Sequence, residues 1–73
     1  MVAINRNDKL YDIIVLYPEV KDIMVGLGFK DIVKPGMLQS MGKIMTIEKG
    51  ARAKNISWEL VFNTFKERGY ELI

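Results

Sequence analysis

Two glycine–aromatic pairs, Gly28-Phe29 and Gly69-Tyr70, restrict the fold of this chain more than any other feature. Each pair follows a stretch in which apolar residues recur at the three- and four-residue spacing of one helical face. A glycine in left-handed geometry commonly ends a helix, and the apolar residue after it folds back onto the last turn. The pairs therefore predict two helical units that end in the same way, one in each half of the chain.

The first unit, residues 9–29, is predicted to be a hairpin of two helices. A residue before proline is disfavoured in helical geometry, so the first helix should end at Tyr17. Pro18 suits the start of the second helix, where its missing amide hydrogen is not needed. Asp8 is placed to cap the first helix, and the aromatic residue after the closing glycine should pack on Met24. The apolar positions of this hairpin are Leu10, Ile13, Ile14, Tyr17, Val20, Ile23, Met24 and Leu27.

The second unit, residues 46–70, is predicted to repeat this arrangement. Thr46 and Ser57 are placed to cap its two helices, and Asn55 can end the first of them in left-handed geometry. Small residues on the apolar face of that helix predict close approach of a neighbouring helix. The apolar positions of this hairpin are Ile47, Gly50, Ala51, Trp58, Val61, Phe62 and Phe65.

The hairpins are joined by a connector, in which a third helix is predicted from Pro35 to Met41 and is ended by Gly42. Residues 43–45 are predicted to be extended. The alternating segment 70–73 can pair with residues 2–4 and so join the two ends of the chain. The sequence thus predicts a single all-α domain over residues 1–73, with about five short helices in two packed helical hairpins and a small two-stranded pairing of the termini.

The absence of cysteine and histidine excludes several kinds of chemistry. The 73 residues include neither, so disulfides, thiolate metal sites and imidazole catalysis are unavailable. The carboxylate pairs Asp8/Asp12 and Glu19/Asp22 fall on predicted exposed faces, where burial cannot separate their acidities. We predict no catalytic residues, no cofactor and no resident metal.

Basic residues are concentrated in the middle of the chain. Eleven Lys and Arg residues oppose nine Asp and Glu residues overall, but residues 30–54 contain six of the bases and only two of the acids. An anionic small ligand or a nucleic acid could bind the part of this segment formed by residues 43–54. The start of the fifth helix, Trp58-Glu59-Leu60, does not suit base recognition, and a solvated basic face is the favoured interpretation. The alternative anion surface comprises Lys43, Lys49, Arg52 and Lys54.

Three methionines, Met37, Met41 and Met45, follow one another at intervals of four residues. On a continuous helix they would form a soft stripe suited to adaptable binding, or with tyrosine to a metal or haem. Gly42 argues against a continuous helix, so packing is the favoured interpretation. The sequence leaves open whether these side chains belong to the core or to the surface.

No run of apolar residues reaches the roughly 18 that a membrane span requires. The N-terminus lacks the basic region and apolar core of a secretory signal. We therefore expect a cytoplasmic protein that does not enter a membrane.

Several segments together resemble the bacterial "domain of unknown function" family 1858. They are residues 10–19 with their Tyr-Pro-Glu ending, then Leu27-Gly28-Phe29, residues 46–51, Ile56 and Leu60. The resemblance implies a small helical fold similar to the N-terminal domain of iron–sulfur cluster repair proteins. Related modules precede haemerythrin-like or sensor domains.

Many members of that family carry a pair of cysteines just after the glycine, at positions that fall near Asp31 and Lys34 here. Both sulfurs are absent, so thiol chemistry and thiolate ligation do not transfer, and the chain resembles the cysteine-free, stand-alone branch of the family. We predict a non-catalytic interaction module whose partner is a haemerythrin-like or redox-sensor protein, or a second copy of the chain. The predicted interaction surface comprises Phe29, Lys30, Asp31, Lys34, Met37, Met41 and Lys43.

Overall fold

The computed structural model describes residues 1–73, and it confirms a mainly helical fold with five helices and a pairing of the termini. Two 3-10 turns, Lys30–Val33 and Met41–Lys43, flank the shortest helix. No helix has both the length and the apolar character needed to cross a bilayer. The regular elements, in chain order, are β1 (Val2–Ile4), α1 (Leu10–Leu16), α2 (Glu19–Gly26), α3 (Met37–Ser40), α4 (Ile47–Ala53), α5 (Trp58–Glu67) and β2 (Tyr70–Leu72).

The two termini pair as parallel strands, with Val2 opposite Tyr70 and Ile4 opposite Leu72. Ile4, Tyr70 and Leu72 are buried, so the small sheet covers one side of the core. The predicted strand pair is therefore confirmed.

One core unites the two hairpins. Helix α1 packs on α2, α4 packs on α5, and the apolar faces of all four contribute buried residues. Leu27, Trp58 and Phe62 lie at the edge of this core and remain half-buried. The buried apolar residues are Ile4, Leu10, Ile13, Ile14, Val20, Ile23, Met24, Phe29, Ile47, Ala51, Val61, Phe65, Tyr70 and Leu72.

The first hairpin ends as its glycine–aromatic pair predicts. Gly28 has a φ of +112°, and its amide donates to the carbonyl of Val25 at 3.0 Å. The next amide, that of Phe29, donates to the carbonyl of Met24 at 3.0 Å. This pair of bonds is the Schellman motif, which satisfies carbonyls that the end of a helix would otherwise leave free.

The small residue Gly50 has a different neighbour from the one predicted. A Cβ atom there would lie 3.0 Å from ring carbon Cε1 of Phe29 and 3.3 Å from Sδ of Met45. At Gly50 the close approach therefore comes from the side chains of Phe29 and Met45 and not from another helix. The aromatic ring that closes the first hairpin packs on the second one instead.

The predicted caps of the second hairpin are confirmed. The Thr46 hydroxyl accepts from the amide of Lys49 at 3.1 Å, and the Ser57 hydroxyl accepts from the amide of Leu60 at 3.4 Å. Asn55 has a φ of +60°, the left-handed geometry expected at the end of α4.

The predicted cap of α1 is wrong. Helix α1 begins after Lys9, and no side chain caps it. The amide of Leu10 donates instead to the carbonyl of Met45 at 2.8 Å. A backbone group from the connector thus takes the place that Asp8 was expected to fill.

The connector is less regular than predicted. Helix α3 covers only four residues, and Gly42 lies within a 3-10 turn that follows directly. Lys43 belongs to the same turn, so the prediction of an extended segment from this residue is wrong. Gly42 is buried, and a Cβ atom there would lie 2.8 Å from Cδ1 of Leu38. This glycine allows the turn to pack closely and does not simply end a helix.

Candidate functional site

The connector folds around an apolar cavity of about 130 Å³, which we call the methionine cavity. Its wall comes from α1, from both 3-10 turns, from α3 and from the segment before α4. Asp31 and Lys54 are its charged lining residues. Its apolar lining residues are Leu10, Phe29, Ile32, Met37, Met41 and Met45.

The three methionines reach this cavity from different elements. Met37 lies in α3, Met41 in the second 3-10 turn and Met45 in the segment before α4. Met37 and Met45 are half-buried, whereas Met41 is 41% exposed. Neither the core nor the surface alone describes the positions of these methionines, because their side chains line a cavity that opens from the core to the surface.

An exposed ion pair stands beside the cavity. The Lys34 ammonium lies 3.1 Å from a carboxylate oxygen of Asp31. This hydrogen bond, the charge of Lys34 and the nearby charge of Lys54 hold the pKa of Asp31 below its ordinary value. The two positions at which family members are expected to carry cysteines thus hold a charged pair in this chain.

The other bases of this region have no ion-pair partner. The chain forms three ion pairs, Arg6–Glu48, Lys34–Asp31 and Arg52–Glu48, so Lys30, Lys43 and Lys54 are in none of them. The Lys43 ammonium lies 5.1 Å from the ring centre of Tyr11. The surroundings of the cavity therefore carry excess positive charge, which we call the basic rim. The basic rim comprises Lys54, which lines the cavity, and Lys34, which pairs with the lining residue Asp31, together with Lys30 and Lys43, which adjoin the lining residues Asp31 and Gly42 in sequence.

One member of the predicted interaction surface is misplaced. Phe29 is only 3% exposed, because its ring is held between the cavity and Gly50. It forms part of the cavity wall and cannot belong to an outer surface. Of the remaining predicted residues, Met37 is half-buried and the others are exposed, namely Lys30, Asp31, Lys34, Met41 and Lys43.

The alternative anion surface does not form a single site. Arg52 lies on an open groove of about 500 Å³ at the turn between α4 and α5, whereas Lys54 lies on the methionine cavity. The Arg52 guanidinium lies 3.2 Å from Oε1 of Glu48, and the Arg6 guanidinium lies 3.8 Å from Oε2 of the same carboxylate. Internal pairing therefore takes up part of the positive charge that an anion would need.

The structure shows contacts and lining residues at these two openings that the sequence did not reveal. The guanidinium carbon of Arg6 lies 4.8 Å from the ring centre of Trp58, which lines the open groove, and the Arg6 Nε group donates to the carbonyl of Ile73 at 3.0 Å. Leu10 and Ile32 line the methionine cavity although neither was predicted to be at a site. Apolar spacing identifies such residues as packing residues, but it carries no information about the space between them.

The geometry also bears on the alternative of metal or haem binding. Thioethers favour soft cations such as Cu(I). The ammonium groups of Lys34 and Lys54 lie close to this cavity, and their charges oppose the entry of a cation. The predicted carboxylate pairs lie elsewhere, and all four of their side chains are exposed, namely Asp8, Asp12, Glu19 and Asp22.

Comparisons with known proteins agree with the fold. Residues 4–61 match the model of a family described as "Domain of unknown function (DUF1858)". The chain is also similar to the crystal structure of the conserved domain protein from Streptococcus pneumoniae TIGR4, with a TM-score of 0.92 and 26% sequence identity. That similarity covers 100% of this chain and 92% of the other. No functionally curated protein matches the chain.

Proposed function

The chain belongs to the DUF1858 family, and we propose that this member is a non-catalytic module that binds another protein. The methionine cavity and its basic rim carry the proposal. An apolar space with a few convergent polar groups is the usual form of a binding site. Methionine side chains adapt their shape to different partners and are common at binding surfaces.

Exposed apolar side chains around the cavity support a protein partner. Val33 is 56% exposed, Met41 is 41% exposed and Ile44 is 67% exposed. All three lie in the connector between the hairpins, and Met41 also lines the cavity. Exposed apolar side chains concentrated in one short segment are more typical of an interaction surface than the same residues scattered singly.

The charges near the cavity favour binding over acid–base catalysis. Asp31 is the carboxylate that lines the cavity, and its lowered pKa makes it a weaker proton acceptor. Because Lys34 and Lys54 stabilise its charged form, this group is suited to holding a fixed charge. We therefore propose a role in recognition for Asp31.

The partner class remains a prediction from the family resemblance. That resemblance suggests a haemerythrin-like or redox-sensor protein, and self-association is the alternative. Sedimentation equilibrium of the purified chain separates the two, because self-association through the cavity must be weakened by Met41→Asp.

Quantitative co-purification from the native host tests the proposal. The double variant Lys34→Glu/Met41→Asp changes the basic rim and the cavity wall at exposed positions. The matched control, Lys66→Glu/Val15→Asp, makes the same kinds of change on α5 and α1, where Lys66 and Val15 are exposed. We expect a defined protein to be recovered with the wild type and the control and to be lost with the first variant. Equal recovery with both variants would refute the proposal.

A second candidate function is binding of nucleic acid or an anionic small ligand by residues 43–54. Its support is that Lys43, Lys49 and Lys54 lack ion-pair partners. Binding through phosphates must weaken steeply as salt rises. Fluorescence anisotropy with labelled single- and double-stranded oligonucleotides, between low and physiological salt, tests this candidate. Absence of binding at low salt excludes nucleic acid.

A further inference from the structure

The methionine cavity is close to the size of one apolar side chain. Its volume is about 130 Å³. An apolar cavity of about 150 Å³ in another protein stays dry and binds benzene. The space is thus suited to a leucine, isoleucine or phenyl group and too small for a larger ring system. A segment that binds here would insert one side chain and keep the rest of its residues outside.

The residues outside the cavity favour a negatively charged segment. Asp31 is the one carboxylate among the residues that line the cavity, and Lys34 already forms an ion pair with it. Lys30, Lys43 and Lys54 have no ion-pair partner. Acidic side chains beside the anchor would therefore meet ammonium groups that are free to pair, whereas basic side chains would be repelled.

From these two observations we propose that the cavity binds one leucine-sized side chain of an acidic segment in a partner protein. The inference rests on the proposed interaction function and adds the chemistry of the bound segment. Carboxylates on both sides of the anchor lie against Lys34, Lys43 and Lys54. The exposed apolar residues Val33 and Ile44 contact the segment beyond its anchor.

Three blocked peptides test this chemistry directly: Glu-Glu-Leu-Glu-Glu, Glu-Glu-Ser-Glu-Glu and Lys-Lys-Leu-Lys-Lys. The chain is labelled with ¹³C at its methionine methyl groups, and NMR spectra are recorded during titration. Met37, Met41 and Met45 report on the cavity. Met24, which is fully buried in the core, and Met1, which is 73% exposed, serve as internal controls.

We expect the acidic leucine peptide to shift the three cavity methyl signals saturably and to leave the two control signals unchanged. The serine peptide should bind at least tenfold more weakly, because it lacks the apolar anchor. The lysine peptide should also bind at least tenfold more weakly, and high salt should weaken the acidic peptide. Equal binding of the acidic and basic peptides, or no shift at millimolar acidic peptide, would overturn the inference.

Variants of the basic rim complete the test. Lys43→Gln/Lys54→Gln should weaken the acidic peptide at least threefold, and Lys66→Gln should not. Unchanged Met24 signals establish that each variant is folded. If no peptide binds but Lys34→Glu/Met41→Asp still loses its partner during co-purification, the interaction function stands and the acidic segment is wrong. If the acidic peptide binds but the variant Lys34→Glu/Met41→Asp recovers the same protein as the wild type, the specificity of the cavity for acidic segments stands and the proposed interaction function is wrong.

Discussion

The α4–α5 hairpin and the connector between the hairpins are built by opposite means. Helices α4 and α5 both begin with a side-chain cap, and together they contain 17 helical residues. Helix α3 has four residues, lacks a side-chain cap and adjoins two 3-10 turns. The hairpin buries Val61 and Phe65 completely, whereas the methionines of the connector stay partly exposed around a cavity. The contrast supports our proposal that the hairpin provides stability and that the connector provides the recognition surface.

Irregularity in the connector does not mean that its position is undefined. The amide of Phe29 at one end bonds to Met24 of the first hairpin, and the carbonyl of Met45 at the other end accepts from Leu10. The Phe29 ring also packs beside Gly50 of the second hairpin. The surface around the cavity is therefore fixed at both ends while its wall consists of adaptable side chains.

The largest expected effect is at the centre of the hairpin. Phe65→Ala removes a completely buried ring and should cost about 3–5 kcal/mol of unfolding free energy, enough to unfold much of a small domain. Met41→Ala, on the exposed wall of the cavity, should cost clearly less. Urea denaturation followed by circular dichroism gives both values. Similar losses would contradict the division between a stabilising hairpin and a binding connector.

A smaller effect is expected where the connector leaves the first hairpin. Gly28→Ala places a side chain at a φ of +112° and should cost about 1–3 kcal/mol. Gly26→Ala is the matched control, because Gly26 is helical and a Cβ there meets nothing within 4 Å. That control should stabilise the protein by about 0.5–1 kcal/mol. Thermal unfolding midpoints should move in opposite directions, and a shift of the same sign would show that Gly28 does not constrain this junction.

Removal of a side-chain hydroxyl should lower the unfolding free energy more in the hairpin than in the connector, by a smaller amount than the substitutions above. Thr46→Ala deletes the hydroxyl that accepts from the amide of Lys49 and should cost about 1 kcal/mol. Ser40→Ala deletes a hydroxyl that only donates to carbonyls within the connector, those of Gly36 and Met37, and should be close to neutral. Denaturation midpoints measured in parallel test the difference. An equal loss from Ser40→Ala would mean that side-chain hydrogen bonds stabilise both regions alike.

The smallest effect concerns pH at the strand that follows α5. Burial raises the pKa of Tyr70, and the charge of Glu19 acts in the same direction. A raised pKa in the folded state gives stability that is present below the unfolded value near 10.0 and is lost as pH rises above it. The unfolding midpoint should therefore fall above about pH 10 more steeply in the wild type than in Tyr70→Phe. Parallel curves for the two proteins would show that this phenol does not titrate differently on folding.

Local patterns predicted most of the fold, because the governing interactions are close in sequence. Gly28, Thr46 and Ser57 act on residues within five positions of themselves, and their roles were predicted correctly. The predicted cap of α1 at Asp8 was wrong because the carbonyl of Met45 accepts from the first helical amide, and no rule based on neighbouring residues predicts a contact so distant in sequence.

The candidate site was only partly predictable for the same reason. Apolar spacing suggested that Met37, Met41 and Met45 belong together, but a broken helix and not a stripe brings them to one cavity. Phe29 was included in the predicted interaction surface because that surface was assigned to residues 29–45, which Phe29 begins. Its contact with Gly50 depends on the packing of the two hairpins, which the sequence does not encode in any short segment.

The parallel pairing of β1 and β2 has a consequence for the order of folding. It brings together nearly the whole chain, since the bond from Arg6 to Ile73 spans 67 positions. Closing so long a loop costs more entropy than closing either hairpin, so strand pairing should follow the formation of the helices. The same pairing should open first, which frees an N-terminal strand while both hairpins stay folded. A strand released in this way can dock on the vacant β2 of another copy, which gives the chain a second route to self-association, separate from the methionine cavity.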